Sequence, residues 1–123
     1  MIAHTAVPVS DYQRSKEFYI KVLAPLGYRN NMEHGESAGF NDGKNTDFWI
    51  TKEETVVPTH VAFEARNKEE VEAFHKAALE AGGKDNGPPG YRDYWPGYYA
   101  AFAHDPDGHN IEAVWYDYSK VKG

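Results

Sequence analysis

The sequence contains no cysteine. That absence removes disulfides, thiolate nucleophiles and every zinc or iron–sulfur site built on sulfur. A bound metal would have to rest on histidine and carboxylate. No apolar run approaches the roughly 18 residues a membrane-spanning helix needs, so no membrane partner is expected. Basic residues are also scarce: 13 Lys and Arg stand against 19 Asp and Glu, and the formal net charge is -6. They are scattered rather than gathered into a stripe that could neutralise a phosphate backbone, which excludes nucleic acid as an expected partner. The opening MIAHTAVPVSD shows no basic leader followed by a long apolar stretch, so a secretory signal is not expected and the cytoplasm is the expected location. What is present is a 123-residue chain, 41% hydrophobic and 15% aromatic, enough for one core and too little for two independent ones.

The chain repeats itself. Displaced by 56 positions, His4 falls on His60, Ala6 on Ala62, Asp11 on Asn67, Phe18 on Phe74, Leu23 on Leu79 and Gly27 on Gly83. Each half opens with a short strand, IAHTAVPV or THVAFEA, and reaches a helix-capping residue, Ser10 or Asp11 in the first half and Asn67 in the second. Helical spacing follows, through Phe18, Tyr19, Val22, Leu23 and Leu26, then through Val71, Phe74, Ala78 and Leu79, with Glu70 placed for a capping box on Asn67. Gly27 and the pair Gly82 and Gly83 are the expected stops. Beyond each helix come extended runs: YRNNME, SAGF and DFWIT, then YYAAFAH and NIEAVWY. DPDG, between the last two, predicts a tight hairpin turn. The segment NGPPGYRDYWPG reads as a loop because its prolines and glycines suit neither a helix nor a central strand. The halves, about 1–54 and 58–117, therefore each read as a strand, a helix and about three strands within one α+β domain. Because of the extra loop, the last strands align at a wider displacement of 63, which sets Trp49 against Glu112.

Alternation along a strand puts His4 with Ile2 and Ala6, His60 with Ala62 and Glu64, and Glu112 with Val114. If the equivalent faces of the two first strands meet, two imidazoles and one carboxylate make a three-ligand site with open positions, suited to Zn, Fe, Mn or Ni. The competing reading makes both histidines ordinary strand residues and Glu112 a solvated one. His109, three residues before Glu112, points the other way. His34 falls in a predicted turn, His75 on a helix and His104 beside the DPDG turn, where surface roles are expected. Glu64 is the one weak candidate for a general base. Tyr91, Tyr94, Trp95, Tyr98 and Tyr99 either wall a pocket or anchor the loop, and Trp49 either floors the pocket or packs the core.

Three stretches, HTAVPVSDYQRSKEFYIKVLAPLGY, the strand at His60 and FAHDPDGHNIEAV, resemble the vicinal oxygen chelate superfamily, which includes glyoxalase I, bleomycin-resistance proteins and extradiol dioxygenases. The resemblance covers essentially the whole chain. It implies two βαβββ modules forming a mixed eight-stranded cup with helices outside, one divalent metal held by His4, His60 and Glu112, and a small oxygen-bearing substrate. It also implies a homodimer and lyase, isomerase or dioxygenase chemistry. Trp49 occupies the place of glyoxalase I's fourth ligand, and indole cannot fill that role, so the likeness does not extend to the ligand set of lactoylglutathione lyase. A metal-free cup that binds a drug or metabolite, as in bleomycin-resistance proteins, is the alternative.

Overall fold

A computed structural model describes residues 1–122. The first half runs β1 (Thr5–Val9), α1 (Tyr12–Leu23), a 3-10 turn (Ala24–Leu26), β2 (Arg29–His34), β3 (Ser37–Asn41) and β4 (Thr46–Lys52). The second runs β5 (His60–Glu64), α2 (Lys68–Glu80), β6 (Lys84–Arg92), β7 (Tyr98–His104) and β8 (Asn110–Tyr116). Each half is thus a βαβββ module. The strands form two mixed four-stranded sheets, ordered β1-β4-β3-β2 and β5-β8-β7-β6, with the first strand of each module parallel to the last.

Local chemistry explains the helices. Asp11 caps α1 by accepting from the Arg14 amide, and Asn67 caps α2 by accepting from the Glu70 amide. Glu70 reaches back one residue further than a capping box requires, taking the amide and guanidinium of Arg66 instead of the amide of Asn67. Gly27, at φ 86°, ends the 3-10 turn in the left-handed conformation that only glycine adopts without cost. The buried face of α2 is Val71, Phe74, His75 and Ala78, and Leu79 is 41% exposed. His75 therefore takes a core-facing place where a surface role was expected. Its Nε2 is satisfied by Asp85 at 2.9 Å, which removes the cost of burying a polar ring.

Both helices cover one face of their sheets. Val7, Val9, Phe40, Phe48 and Ile50 from the first module meet Phe63, Ala65, Tyr99, Ala101, Ala103, Ile111 and Ala113 from the second in one core. Phe48 packs edge-on against Phe63 at 4.9 Å between ring centres, joining the halves. The DPDG turn is a second joint. Asp105 accepts from the Tyr19 hydroxyl at 2.5 Å and from the amides of Asp107 and His109, while Asp107 accepts from the Ser10 amide. His109, fully buried, donates from Nε2 to the Pro8 carbonyl at 2.7 Å and accepts at Nδ1 from the Thr59 amide at 3.0 Å. It points away from Glu112 and bridges the modules.

The loop expectation is corrected as well. NGPPGYRDYWPG is a loop only in its second half: Asn86 to Arg92 belong to β6, whose ladder with β7 is irregular between Asp85 and Gly87 and again between Gly87 and Gly90. An edge strand needs ladder donors on one side only. The irregularity passes over Pro88 and Pro89, which have no amide hydrogen to give.

Candidate functional site

The faces turned away from the helices carry the chemistry. In the second sheet Ala62 pairs with Glu112, Phe102 with Glu112, Tyr98 with Tyr116 and Arg92 with Tyr98. Cross-strand partners share a face, so His60, Glu112, Tyr98, Phe102 and Arg92 stand together. The Glu112 side chain is 3% exposed and that of His60 is 50% exposed, and Nε2 of the histidine lies 3.0 Å from Oε1 of the glutamate. The other carboxylate oxygen accepts from the Tyr98 hydroxyl in a very short contact. Burial, and then the bonded carboxylate, push the Tyr98 phenol far above its ordinary range, so it stays protonated and donates.

His60 Nδ1 lies 3.0 Å from the Asn110 carbonyl, which can only accept, so Nδ1 carries a proton. In the neutral ring Nε2 then presents a lone pair to a carboxylate oxygen. Two acceptors at that distance are satisfied only by a shared cation, whether a proton or a metal ion. A histidine whose second nitrogen is tied to a backbone carbonyl is the usual arrangement of a metal ligand. The donor types of His60 and Glu112 fit a divalent metal, which the two alone would leave short of ligands.

The structure does not bring His4 to them. His4 is exposed and precedes β1 on the open face of the first sheet, in a hollow of about 580 Å³ bordered by Ala6, Met32, His34, Trp49 and Thr51. Among the described residues no group of three His, Asp or Glu is placed to hold a metal ion. Val7 and Val9 of β1 and Phe63 of β5 turn into the shared core, and His4 and His60 border different hollows.

Trp49 lies on this first face, half-buried, opposite Ala6 in the ladder as Glu112 lies opposite Ala62. The two positions are thus equivalent in register. The indole lies over Gly39, where an added Cβ would come within 2.9 Å of the ring, and it stacks on His34 at 6.2 Å. His34 ends β2 instead of sitting in a turn.

The aromatic residues divide. Tyr98 is in the Glu112 site, and Tyr94 packs edge-on against it at 5.2 Å. Tyr99 is 4% exposed and turns to the helix side, bonding Glu72, with Tyr91 against it bonding Asp117. Trp95 packs on Tyr116 and Tyr118. Tyr91 and Tyr99 therefore do not wall the open face, because alternation sends them through the sheet. Glu64 is exposed at the end of β5, on the His60 side, without a hydrogen-bond partner among the described residues. His104 ends β7 with Nδ1 3.3 Å from the Gly108 carbonyl. Phe102 and Arg92 were not among the sequence candidates. Counting outward from the DPDG hairpin reaches Phe102, the cross-strand partner of Glu112, whereas the loop reading hid Arg92.

Paired βαβββ modules with open sheet faces define a class of small-molecule-binding folds. The family model of the Glyoxalase/Bleomycin resistance protein/Dioxygenase superfamily matches residues 1–113, and the chain belongs to that superfamily. A glyoxalase/bleomycin resistance protein from Albidiferax ferrireducens T118 is 30% identical with a TM-score of 0.80, over 92% of this chain and 96% of that one. A glyoxalase/bleomycin resistance protein/dioxygenase family enzyme from Burkholderia phytofirmans PsJN is 17% identical with a TM-score of 0.73, over 94% and 98%. The fosfomycin resistance protein FosX from Mesorhizobium loti is 18% identical with a TM-score of 0.69, over 94% and 91%. These last two likenesses are of fold. No curated protein matches the sequence.

Proposed function

We propose that the chain is a glyoxalase-like, metal-dependent enzyme for a small oxygen-bearing metabolite, with His60 and Glu112 of one copy and His4 of a second copy as the ligands. The observation that carries this reading is the pair Nε2 and Oε1, facing each other at 3.0 Å with Nδ1 committed to a carbonyl. A buried carboxylate beside a pre-oriented imidazole is a poor core element and a good half of a cation site. The missing third donor lies on the open face of the other sheet, so a cup closed between two copies would complete two equivalent sites.

A divalent cation held there would act as a Lewis acid toward the vicinal oxygens of the substrate. The protein's own residues do the rest. Tyr98 holds one Glu112 oxygen, leaving the other directed at His60, and the carbonyl of Asn110 fixes the imidazole tautomer. Phe102, with its ring stacked at 6.4 Å from that of His60, limits water on one flank. Among the described residues Glu64, on the same face and without a hydrogen-bond partner, is the candidate proton acceptor for the substrate.

The alternative is a metal-free cup in which a protonated His60 pairs with Glu112. It is favoured by the apolar ledge of Trp49 and His34, which would hold a flat ligand without any metal. Elemental analysis after gentle purification separates the two. One divalent metal per chain is expected in the wild type and none in His60→Ala, with both folded by thermal melting. Unchanged metal in the variant would sink the ligand assignment. Light scattering is expected to give twice the 13.9 kDa monomer mass, and a monomer that still binds metal would remove His4 of a second copy from the site.

A further inference from the structure

The open face of the second sheet carries a fixed cation that the metal reading leaves unused. Arg92 ends β6 opposite Tyr98. Its terminal nitrogens donate to the Gly90 carbonyl at 2.9 Å and the Pro88 carbonyl at 2.7 Å. The guanidinium carbon lies 5.4 Å from the centre of the Phe102 ring, and that ring stacks on His60 at 6.4 Å and 25°. Gly87, at φ 151°, makes the approach possible, since a Cβ there would meet Phe102 at 3.0 Å and Arg92 at 3.1 Å.

This clamp leaves donors to spare. A guanidinium has five N–H groups, and two are spent on backbone carbonyls. None of the ion pairs among the described residues includes Arg92. Glu112, on the same face, has one oxygen facing His60 and the other bonded by Tyr98. Holding an arginine still and half-buried costs side-chain entropy and hydration, and among the described residues no carboxylate pairs with it to offset that cost. A pre-positioned planar fork suits a carboxylate, which it can bind through two parallel hydrogen bonds. A phosphate dianion suits it less, because Glu64 and Glu112 on the same face would repel the second charge.

We infer that Arg92 reads a carboxylate on the ligand, apart from the metal-binding oxygens and beside the Phe102 ring that both Arg92 and His60 pack on. The ligand class is a small carboxylic acid with a vicinal oxygen pair at its far end. This deepens the proposed function and rests on it for the oxygen pair alone, because the receptor needs only the residues around Arg92.

The test uses the whole protein loaded with zinc, titrated calorimetrically with 3,4-dihydroxybenzoate, catechol and 3,4-dihydroxyphenylphosphonate. Wild type is expected to bind the carboxylate about tenfold more tightly than catechol, in line with a charge-assisted bidentate pair. Arg92→Gln should abolish that preference, and Arg92→Lys, which keeps the charge and loses the fork, should retain part of it. A preference that survives Arg92→Gln overturns the proposal, as does an equal or greater preference for the phosphonate. Zinc content measured on the same samples separates the two readings. If wild type holds no zinc, the metal reading fails, and benzoate against benzyl alcohol in the metal-free protein decides Arg92. Loss of the benzoate preference in Arg92→Gln upholds the receptor, and no preference in wild type overturns it.

Discussion

The two sheets differ most at one pair of equivalent positions. Trp49 and Glu112 stand opposite equivalent alanines in parallel ladders of the same order, yet one is an aromatic ledge over Gly39 and the other a buried carboxylate between His60 and Tyr98. The backbone therefore preserves the repeat while the side chains abandon it. The second half concentrates charge, with a carboxylate, an imidazole and a guanidinium on one face. The first half offers His4 and a stacked Trp49–His34 surface. A repeat of this kind needs only one half to carry the polar cost, because the other half supplies shape and a single donor.

The comparison holds only while the modules share a frame, and the largest expected effect comes from breaking that frame at His109. His109→Ala should cost about 3–5 kcal/mol, since it strands the Thr59 amide and the Pro8 carbonyl and leaves a cavity. Chemical denaturation measures this. The contrast is with His60, whose side chain is half exposed: compared as metal-free proteins, His60→Ala and wild type should differ in stability by less than about 1 kcal/mol. Comparable losses of stability in the two variants would mean that site and frame are not separable.

The same joint gives a smaller, pH-dependent effect. Burial raises the Asp105 carboxyl above its ordinary value near 3.8, although the Tyr19 hydroxyl and the amides of Asp107 and His109 pull it down. A carboxyl with a raised pKa holds its proton longer in the folded chain than in the unfolded one. Its contribution to stability is therefore full below the ordinary value and declines as pH rises through the raised one. Asp105→Asn keeps an acceptor for the two amides and should flatten that decline, while Asp105→Ala should cost about 2–4 kcal/mol at low pH and less as pH rises through the raised value. Melting temperature against pH for the three proteins checks it. A decline of the same size in Asp105→Asn would assign it to another group.

The repeat, the helix caps and the DPDG hairpin were legible because each rests on local chemistry: a capping side chain, a spacing, a turn sequence. Both alignments, at displacements of 56 and 63, survive in the ladder registers, where Trp49 and Glu112 occupy one position. What sequence did not show is how the two modules sit against each other. That depends on the packing of Phe48 on Phe63 and on the buried bonds of Asp105 and His109, which no periodicity encodes. His4 was therefore expected beside His60 and is found on the other sheet. Arg92 was missed for a different reason: two prolines read as a loop hide an edge strand whose ladder is irregular around them.

Erasing the difference at position 49 is the finest test. If a cup closed between two copies brings Trp49 of one toward Glu112 of the other, Trp49→Glu should add an anionic oxygen to the cation's surroundings and tighten metal binding by about tenfold. The substitution removes a half-buried indole, so a stability loss of about 2 kcal/mol accompanies it, less than for a fully buried ring. Trp49→Ala removes the same packing without adding a ligand, and its metal affinity should stay within about twofold of wild type. Competitive chelator titration of the three folded proteins separates ligand from packing. Tightening in Trp49→Glu alone makes the two halves chemically alike and places the indole over the metal. Equal affinity in all three would set Trp49 away from the site, leaving its role as the ledge that His34 and Gly39 support.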